Sequence, residues 1–157
     1  MGNYNLSKIL ENSKLSENVY DMVIQDRKIA ESCKAGQFVE LYIDNNKNLL
    51  PRPLSICDIS KDQGSIRLVY QVLGEGTDYF SNLKSGEKIR LMGPLGNGFT
   101  MERRENIAIV GGGVGIPPLM LLLKSLVSES SGANIDVFLG YRDKVFLDNE
   151  FKLIRSA

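Results

Sequence analysis

Between Tyr4 and about Phe99 the apolar residues fall in short runs separated by clusters of turn-forming residues. The runs predict strands over Tyr4–Glu11, Val19–Gln25, Phe38–Ile43, Leu54–Ile59, Ser65–Val72 and Lys88–Met92. The breaks contain Lys34-Ala35-Gly36-Gln37, Asp44-Asn45-Asn46, Lys61-Asp62-Gln63-Gly64 and Lys84-Ser85-Gly86-Glu87, all of which adopt turn geometries at little cost. Short strands at this spacing predict a small antiparallel barrel or sandwich, closure being the way such a sheet removes exposed edges. One helical interruption is expected, capped by Thr77 or Asp78 and running to Leu83, with Tyr79, Phe80 and Leu83 as its apolar face.

The pattern changes after the charged linker Met101–Asn106. Ile107–Val110 is an all-apolar run that predicts a buried strand, Gly111-Gly112-Gly113-Val114-Gly115 a turn, and Pro117-Pro118 the opening of a helix to about Ser128. Ile135–Leu139 predicts a second buried strand, and Leu147–Ile154 the start of another helix. Strand, glycine turn, helix and strand make one parallel βαβ unit. The expected organisation is therefore β followed by α/β, with residues 1–100 a β domain and residues 101–157 the N-terminal portion of a truncated nucleotide-binding domain. A two-stranded parallel sheet leaves edges and one face open, which a complete domain of this kind covers.

The composition adds exclusions. The chain has 157 residues, 43% hydrophobic and 24% charged, with 19 basic against 19 acidic side chains. With no net field, neither nucleic acid nor an anionic membrane is an expected partner. No apolar run is long enough for a bilayer span and the N-terminus is not a signal peptide, so a cytoplasmic location is expected. Histidine is absent, which removes it as acid, base or metal ligand. Two cysteines, Cys33 and Cys57, supply neither a disulfide framework nor a complete metal site.

Four stretches carry candidate chemistry. Arg52-Pro53-Leu54-Ser55 sets a guanidinium, a proline-fixed extended backbone and a hydroxyl at the head of a strand, a combination suited to gripping a flavin nucleotide and equally found in ordinary edge strands. Proline biases Arg52 to extended geometry, so Arg52 and Leu54 are expected on one face and Ser55 on the other. Gly74-Glu75-Gly76-Thr77 follows Val69-Tyr70-Gln71 and places close-approach glycines and a hydroxyl at a helix start, a phosphate-compatible arrangement. Gly93-Pro94-Leu95-Gly96-Asn97-Gly98-Phe99 suits a tight structural connection as well as a cofactor contact. In Gly111–Gly115 the glycines allow backbone to approach a pyrophosphate, although Pro118 stands where the usual fingerprint has its third glycine. Arg142 and Asp143, at the end of the second strand, are better placed than Asp136, at its start, to meet an adenosine ribose, and the choice between them stays open.

In this order and spacing the stretches resemble the ferredoxin-reductase superfamily, and within it the electron-transfer subunits of dihydroorotate dehydrogenase B. The resemblance implies an FAD-binding antiparallel barrel, an NAD-binding α/β domain and a two-iron two-sulfur cluster held by cysteines in a C-terminal segment that this sequence lacks. It implies that Arg52 pairs with the FAD pyrophosphate, that Ser55 bonds near flavin N5, and that Pro53 and Leu54 contact the ring. Val69, Tyr70 and Gln71 would line the ribityl and ring region, and Gly76 and Thr77 would hold phosphate. Gly112, Gly113 and Gly115 would face the NAD pyrophosphate. The implied partner is a catalytic subunit that oxidises dihydroorotate, in a heterotetramer, with electrons passing through the cluster and FAD to NAD in pyrimidine biosynthesis; no residue of this chain is expected to be catalytic, and the truncated chain is expected to be inactive alone. The alternatives are an NAD(P)H-dependent flavin or ferredoxin reductase of the same superfamily and a non-catalytic flavin-binding docking module.

Overall fold

The computed structural model describes residues 4–43, 50–102, 104–129 and 132–155. Strands β1 (Asn5–Ser16), β2 (Val19–Gln25), β3 (Phe38–Tyr42), β4 (Arg52–Ser60), β5 (Ser65–Gln71) and β6 (Lys88–Leu95) close into a barrel in the order β1-β2-β5-β4-β3-β6, every neighbour antiparallel. All the predicted barrel strands are present. β1 overruns its predicted end at Glu11 because it serves two partners: Asn5–Lys8 pair with β6, while Lys8–Ser16 continue along β2 as a hairpin. Polar residues are tolerated there because that half of the strand is largely exposed. The turn expected at Asp44-Asn45-Asn46 and part of the charged linker lie outside the described residues.

Alternation along the strands turns Ile9, Met22, Ile24, Val39, Leu41, Ile66, Leu68 and Leu91 into one apolar core. Two helices join it. α1 (Arg27–Ser32) is a short element that the apolar periodicity does not predict. Its start is legible only in hindsight: Asp26 is the N-cap, its carboxylate accepting from Ile29 N at 3.1 Å, and it also accepts from Asn5 Nδ2 and Ser7 Oγ at 2.8 Å each. A carboxylate this buried is tolerated because every partner is a donor. α2 (Glu75–Asn82) is capped by Gly74, three residues before Thr77, the earlier of the two expected caps, and inserts Phe80 into the core.

The second part is β7 (Asn106–Gly112), a 3-10 turn (Gly113–Gly115), α3 (Pro118–Glu129), β8 (Asn134–Gly140) and α4 (Asp148–Arg155). β7 and β8 are parallel, paired from Asn106↔Asn134 to Gly112↔Gly140. Two of the expected turn glycines, Gly111 and Gly112, thus belong to the strand. α3 is the shared element: Met120, Leu123 and Leu126 pack with Ile109 and Ile135 of the small sheet and with Val19, Cys57 and Val69 on the outside of the barrel. A bulge makes this possible. The β4–β5 register slips between Ile56 and Asp58, so Ile56 and Cys57 are both fully buried, one in the barrel and one against α3.

The expectation of a strand buried throughout over Ile107–Val110 is corrected. Ile109 is buried, but Val110 is 74% exposed and Phe138 of β8 58%. α3 covers one face of the two-stranded sheet, and no described element covers the other. Among the described residues no helix is long and apolar enough to cross a membrane.

Asp26 ties α1 to β1, and Asp26→Ala removes a helix cap and orphans two buried donors. A destabilisation of about 2 kcal/mol is expected, read as a lower urea midpoint at unchanged m-value; an unchanged midpoint would show that solvent replaces the carboxylate.

Candidate functional site

Arg52 opens β4 at the barrel mouth. Cross-strand pairing places it opposite Leu41, and Leu54 opposite Val39, both core residues, whereas Ser55 faces Phe38 on the outer side. The predicted division of Arg52 and Leu54 from Ser55 therefore holds. The guanidinium is anchored by Nη1, which donates to Leu50 O at 2.8 Å and Pro51 O at 3.4 Å. Nε and Nη2 lie over the first turn of α2. A Cβ on Gly76 would sit 2.5 Å from Nε and 3.1 Å from Nη2, so only glycine permits the approach.

The backbone of that turn presents donors, while Glu75 and Asp78 supply its acidic side chains. The amides of Glu75, Gly76 and Thr77 are the first three of α2 and have no intrahelical acceptor, and the N-cap, Gly74, has no side chain to satisfy them. The Thr77 hydroxyl is already committed: it accepts from Leu73 N at 2.9 Å and Gly74 N at 3.3 Å, and donates to Gly74 O at 3.1 Å. Its work is to fold the turn, leaving the backbone amides to face a ligand. Among the described residues Arg52 has no carboxylate partner, so its cation faces the positive end of α2, whose first turn also carries Glu75 and Asp78. An anionic ligand resolves that conflict.

The sheet opens beside this point. β4 pairs with β5 only from Ile56↔Leu68 to Ser60↔Ser65; Arg52–Ser55 pair with β3 alone, and Val69–Gln71 with β2 alone. Two backbone edges thus line a split in the barrel that ends at α2. Of the three β5 residues expected at a cofactor, Tyr70 points into the barrel core, its hydroxyl donating to Asn12 at 3.3 Å, and Val69 packs against α3. Burial raises the Tyr70 pKa. Their side chains are therefore committed to packing, while Gln71 reaches a second cleft.

This cleft, of about 520 Å³, lies between the barrel and the glycine turn. One wall is the β1–β2 turn (Ser16–Val19) with Gln71; the other is Gly112, Gly113 and the loop from Tyr141 to Phe146. The glycines divide by role. A Cβ on Gly111 would meet Leu119 Cδ1 at 2.5 Å, so this glycine serves helix packing. Gly113 (φ +52°) and Gly115 face open space, and the nearest atom to a Cβ on Gly112 would be Gly140 O at 3.9 Å. The string Gly93–Phe99, by contrast, is structural: Cβ atoms on Gly93, Gly96 and Gly98 would meet Val39, Phe38 and Lys34, and Phe99 N donates to Ala35 O at 2.8 Å.

The model of the oxidoreductase FAD-binding domain matches residues 7–99. The chain belongs to this family. It is 35% identical over 148 residues to the dihydroorotate dehydrogenase B (NAD(+)) electron transfer subunit of Fusobacterium nucleatum, covering 90% of this chain and 56% of that protein. The counterpart from Enterococcus faecalis is 39% identical over 139 residues, covering 87% and 52%. The chain spans little more than half the length of these curated relatives. A solved NADH-dependent reduced ferredoxin-NADP oxidoreductase superposes with a TM-score of 0.86 at 35% identity, covering 98% of this chain and 55% of that one. The resemblance read from the motifs is thereby borne out, as is the barrel followed by a parallel α/β unit.

Membership of the FAD-binding family agrees with the donor set at α2, since a pyrophosphate is the anion that Arg52 and three free amides suit. The two cysteines do not suit a cluster. Cys57 is buried against α3 and Cys33 ends α1, and among the described residues no group of three His, Cys, Asp or Glu side chains could hold a metal. Burial pushes the Cys57 thiol up to about 12 and the Cys33 thiol up to about 11, so both stay protonated at neutral pH. Sequence reasoning missed Ser16–Val19 as a cleft wall, a contribution that only the barrel's closure reveals.

Gly76→Ala isolates the Arg52 contact. The guanidinium, at the end of a flexible side chain, swings aside at little cost to stability, and FAD affinity falls about tenfold by loss of a charge-assisted contact. Flavin-fluorescence titration alongside thermal melting checks both halves; equal FAD affinity in variant and wild type would remove Arg52 from the site.

Proposed function

We propose that this chain is the FAD-binding part of an electron-transfer subunit that accepts electrons from a dihydroorotate-oxidising partner and delivers them to NAD, in pyrimidine biosynthesis. The observation that carries the proposal is the Arg52 guanidinium set over the free amides of α2 at Gly76, beside the split between β4 and β5. The family match and the names of the relatives support it.

A bound flavin supplies hydride exchange with a nicotinamide and single-electron exchange with a metal centre, so no protein nucleophile or histidine is needed. The work of the chain is to bind and orient. Arg52 and the amides of Glu75, Gly76 and Thr77 neutralise the FAD pyrophosphate, with the Thr77 hydroxyl holding the turn. Pro53, Leu54 and the unpaired edge of Val69, Tyr70 and Gln71 border the split that would take the ribityl chain and ring, and Ser55 would supply a hydroxyl to the ring. Gly112 and Gly113, in the cleft shared with Gln71, and Gly115, just beyond its lining, would bring backbone to the NAD pyrophosphate. The two-iron two-sulfur cluster has no ligand set among the described residues, so it is assigned to other parts of the protein and no step is routed through it. The partner is a catalytic dihydroorotate dehydrogenase subunit, assembled with this one as a heterotetramer in the cytoplasm.

One observation favours a second reading. The match to the NADH-dependent reduced ferredoxin-NADP oxidoreductase, at TM-score 0.86 and 35% identity, is as close in sequence as that to the Fusobacterium relative. The same barrel and cleft would serve a ferredoxin-linked NAD(P)H oxidoreductase.

The test is the full-length protein co-purified with its partner. Flavin absorbance and dihydroorotate-dependent NAD reduction are expected; flavin with reduced ferredoxin as the only effective donor would select the second reading. Arg52→Ala should lower FAD affinity at least about tenfold and leave partner binding intact, whereas the reverse pattern would make the chain a docking module.

A further inference from the structure

The loop that carries Arg142, Asp143 and Lys144 into the nucleotide cleft is held from behind. At one end Tyr141 donates its hydroxyl to Phe146 O at 2.8 Å. At the other, Leu147 is buried in a left-handed conformation (φ +64°), unusual for a branched side chain and tolerated only where surrounding contacts over-determine it. Leu147 O accepts from Phe151 N at 3.1 Å to start α4, and Phe151 is buried in the core between barrel and α3. The position of the loop is therefore the position of α4.

Besides Phe151, a charged side chain ties α4 to the barrel. Arg67, on the outer face of β5, donates Nε to both oxygens of Asp21 at 3.0 Å and Nη2 to Asp21 Oδ2 at 2.7 Å. Its other edge grips Glu150 of α4, with Nη1 on Oε2 at 2.5 Å and Nη2 on Oε1 at 3.0 Å. The guanidinium is 18% exposed and Asp21 13%, so the fork operates in partly desolvated surroundings, where planar bidentate geometry matters most. Both barrel anchors are on strands whose ends form the opposite wall of the cleft. Asp21 is two residues beyond Val19, and Arg67 is on the strand that ends in Gln71; Val19 and Gln71 both line the cleft.

We propose that Arg67 is a positioning residue for the nucleotide site: by clamping Glu150 of α4 to Asp21 of the barrel, it sets the separation between the Ser16–Val19 wall and the Tyr141–Phe146 wall. The proposal rests on the nucleotide reading of the cleft. Arg67 touches neither the split beside Arg52 nor α2, so the clamp governs nucleotide binding and leaves the flavin site alone.

The experiment uses the full-length FAD-loaded protein with Glu150→Gln, Arg67→Met and Arg67→Lys, the first being a mild change at a partly exposed residue. NAD+ affinity by calorimetry should weaken about tenfold in Glu150→Gln and Arg67→Met, with Arg67→Lys between them and wild type and FAD content unchanged. Hydrogen exchange of the Arg142–Leu147 amides, measured without nucleotide, should quicken in the same order. Unchanged exchange in Glu150→Gln and Arg67→Met overturns the clamp, as does unchanged NAD+ affinity in variants of a wild type that binds NAD+. A parallel loss of FAD overturns it too, since it marks general loosening. A wild type that holds FAD but not NAD+ refutes the nucleotide reading instead, and quickened exchange in that case still supports the clamp.

Discussion

A guanidinium held against the amino-terminal turn of a helix is a meeting of like charges, unfavourable by about 0.5 kcal/mol in the absence of an anion. The barrel enforces it. β4 delivers Arg52 to the mouth, the carbonyls of Leu50 and Pro51 fix one side of the guanidinium, and Gly76 withdraws its side chain so that the other side can approach α2. Thr77 spends its hydroxyl on the turn, which keeps three amides pointing outward. The carbonyl and Thr77 hydrogen bonds serve the fold, but the close approach of Arg52 to Gly76 adds nothing to stability alone. Together they form a preorganised donor site beside a split in the sheet, an arrangement that suits the anionic part of the cofactor for which the matching family is named.

α3 makes the second cleft possible. By packing on the outside of β4 and β5 through Cys57 and Val69 and on the small sheet through Ile109 and Ile135, it brings the glycine turn next to Gln71. Two ion pairs, Arg67 with Glu150 and Lys124 with Asp58, reinforce this seating. Exposed ion pairs contribute little, but both of these join separate parts of the chain and each has one partner largely shielded from solvent, so they act on relative position more than on overall stability.

Much of this was legible in the residues. Strand spacing, the opening of α3 at Pro118 and the strand–glycine–helix order depend on local pattern, and local pattern survives folding. The pairing of Arg52 with Gly76 was suggested only by the company the two motifs keep. α1 escaped because six residues are too few to show a periodicity. The exposure of Val110 escaped because an apolar run carries no sign of which face is covered. The commitment of the Thr77 hydroxyl and of the Val69 and Tyr70 side chains escaped because residue type does not reveal which partner a group will choose. The Arg67 network joins positions far apart in the chain, and no spacing rule connects them.

The phosphate grip is tested most directly by comparing FAD with riboflavin, which has the same ring but no phosphate, on wild type and Arg52→Met. A grip of this kind makes FAD bind far more tightly than riboflavin, with Arg52→Met eroding the FAD affinity by at least about tenfold and leaving riboflavin almost untouched. Equal losses for both ligands would mean that Arg52 shapes the ring site and does not read the phosphates.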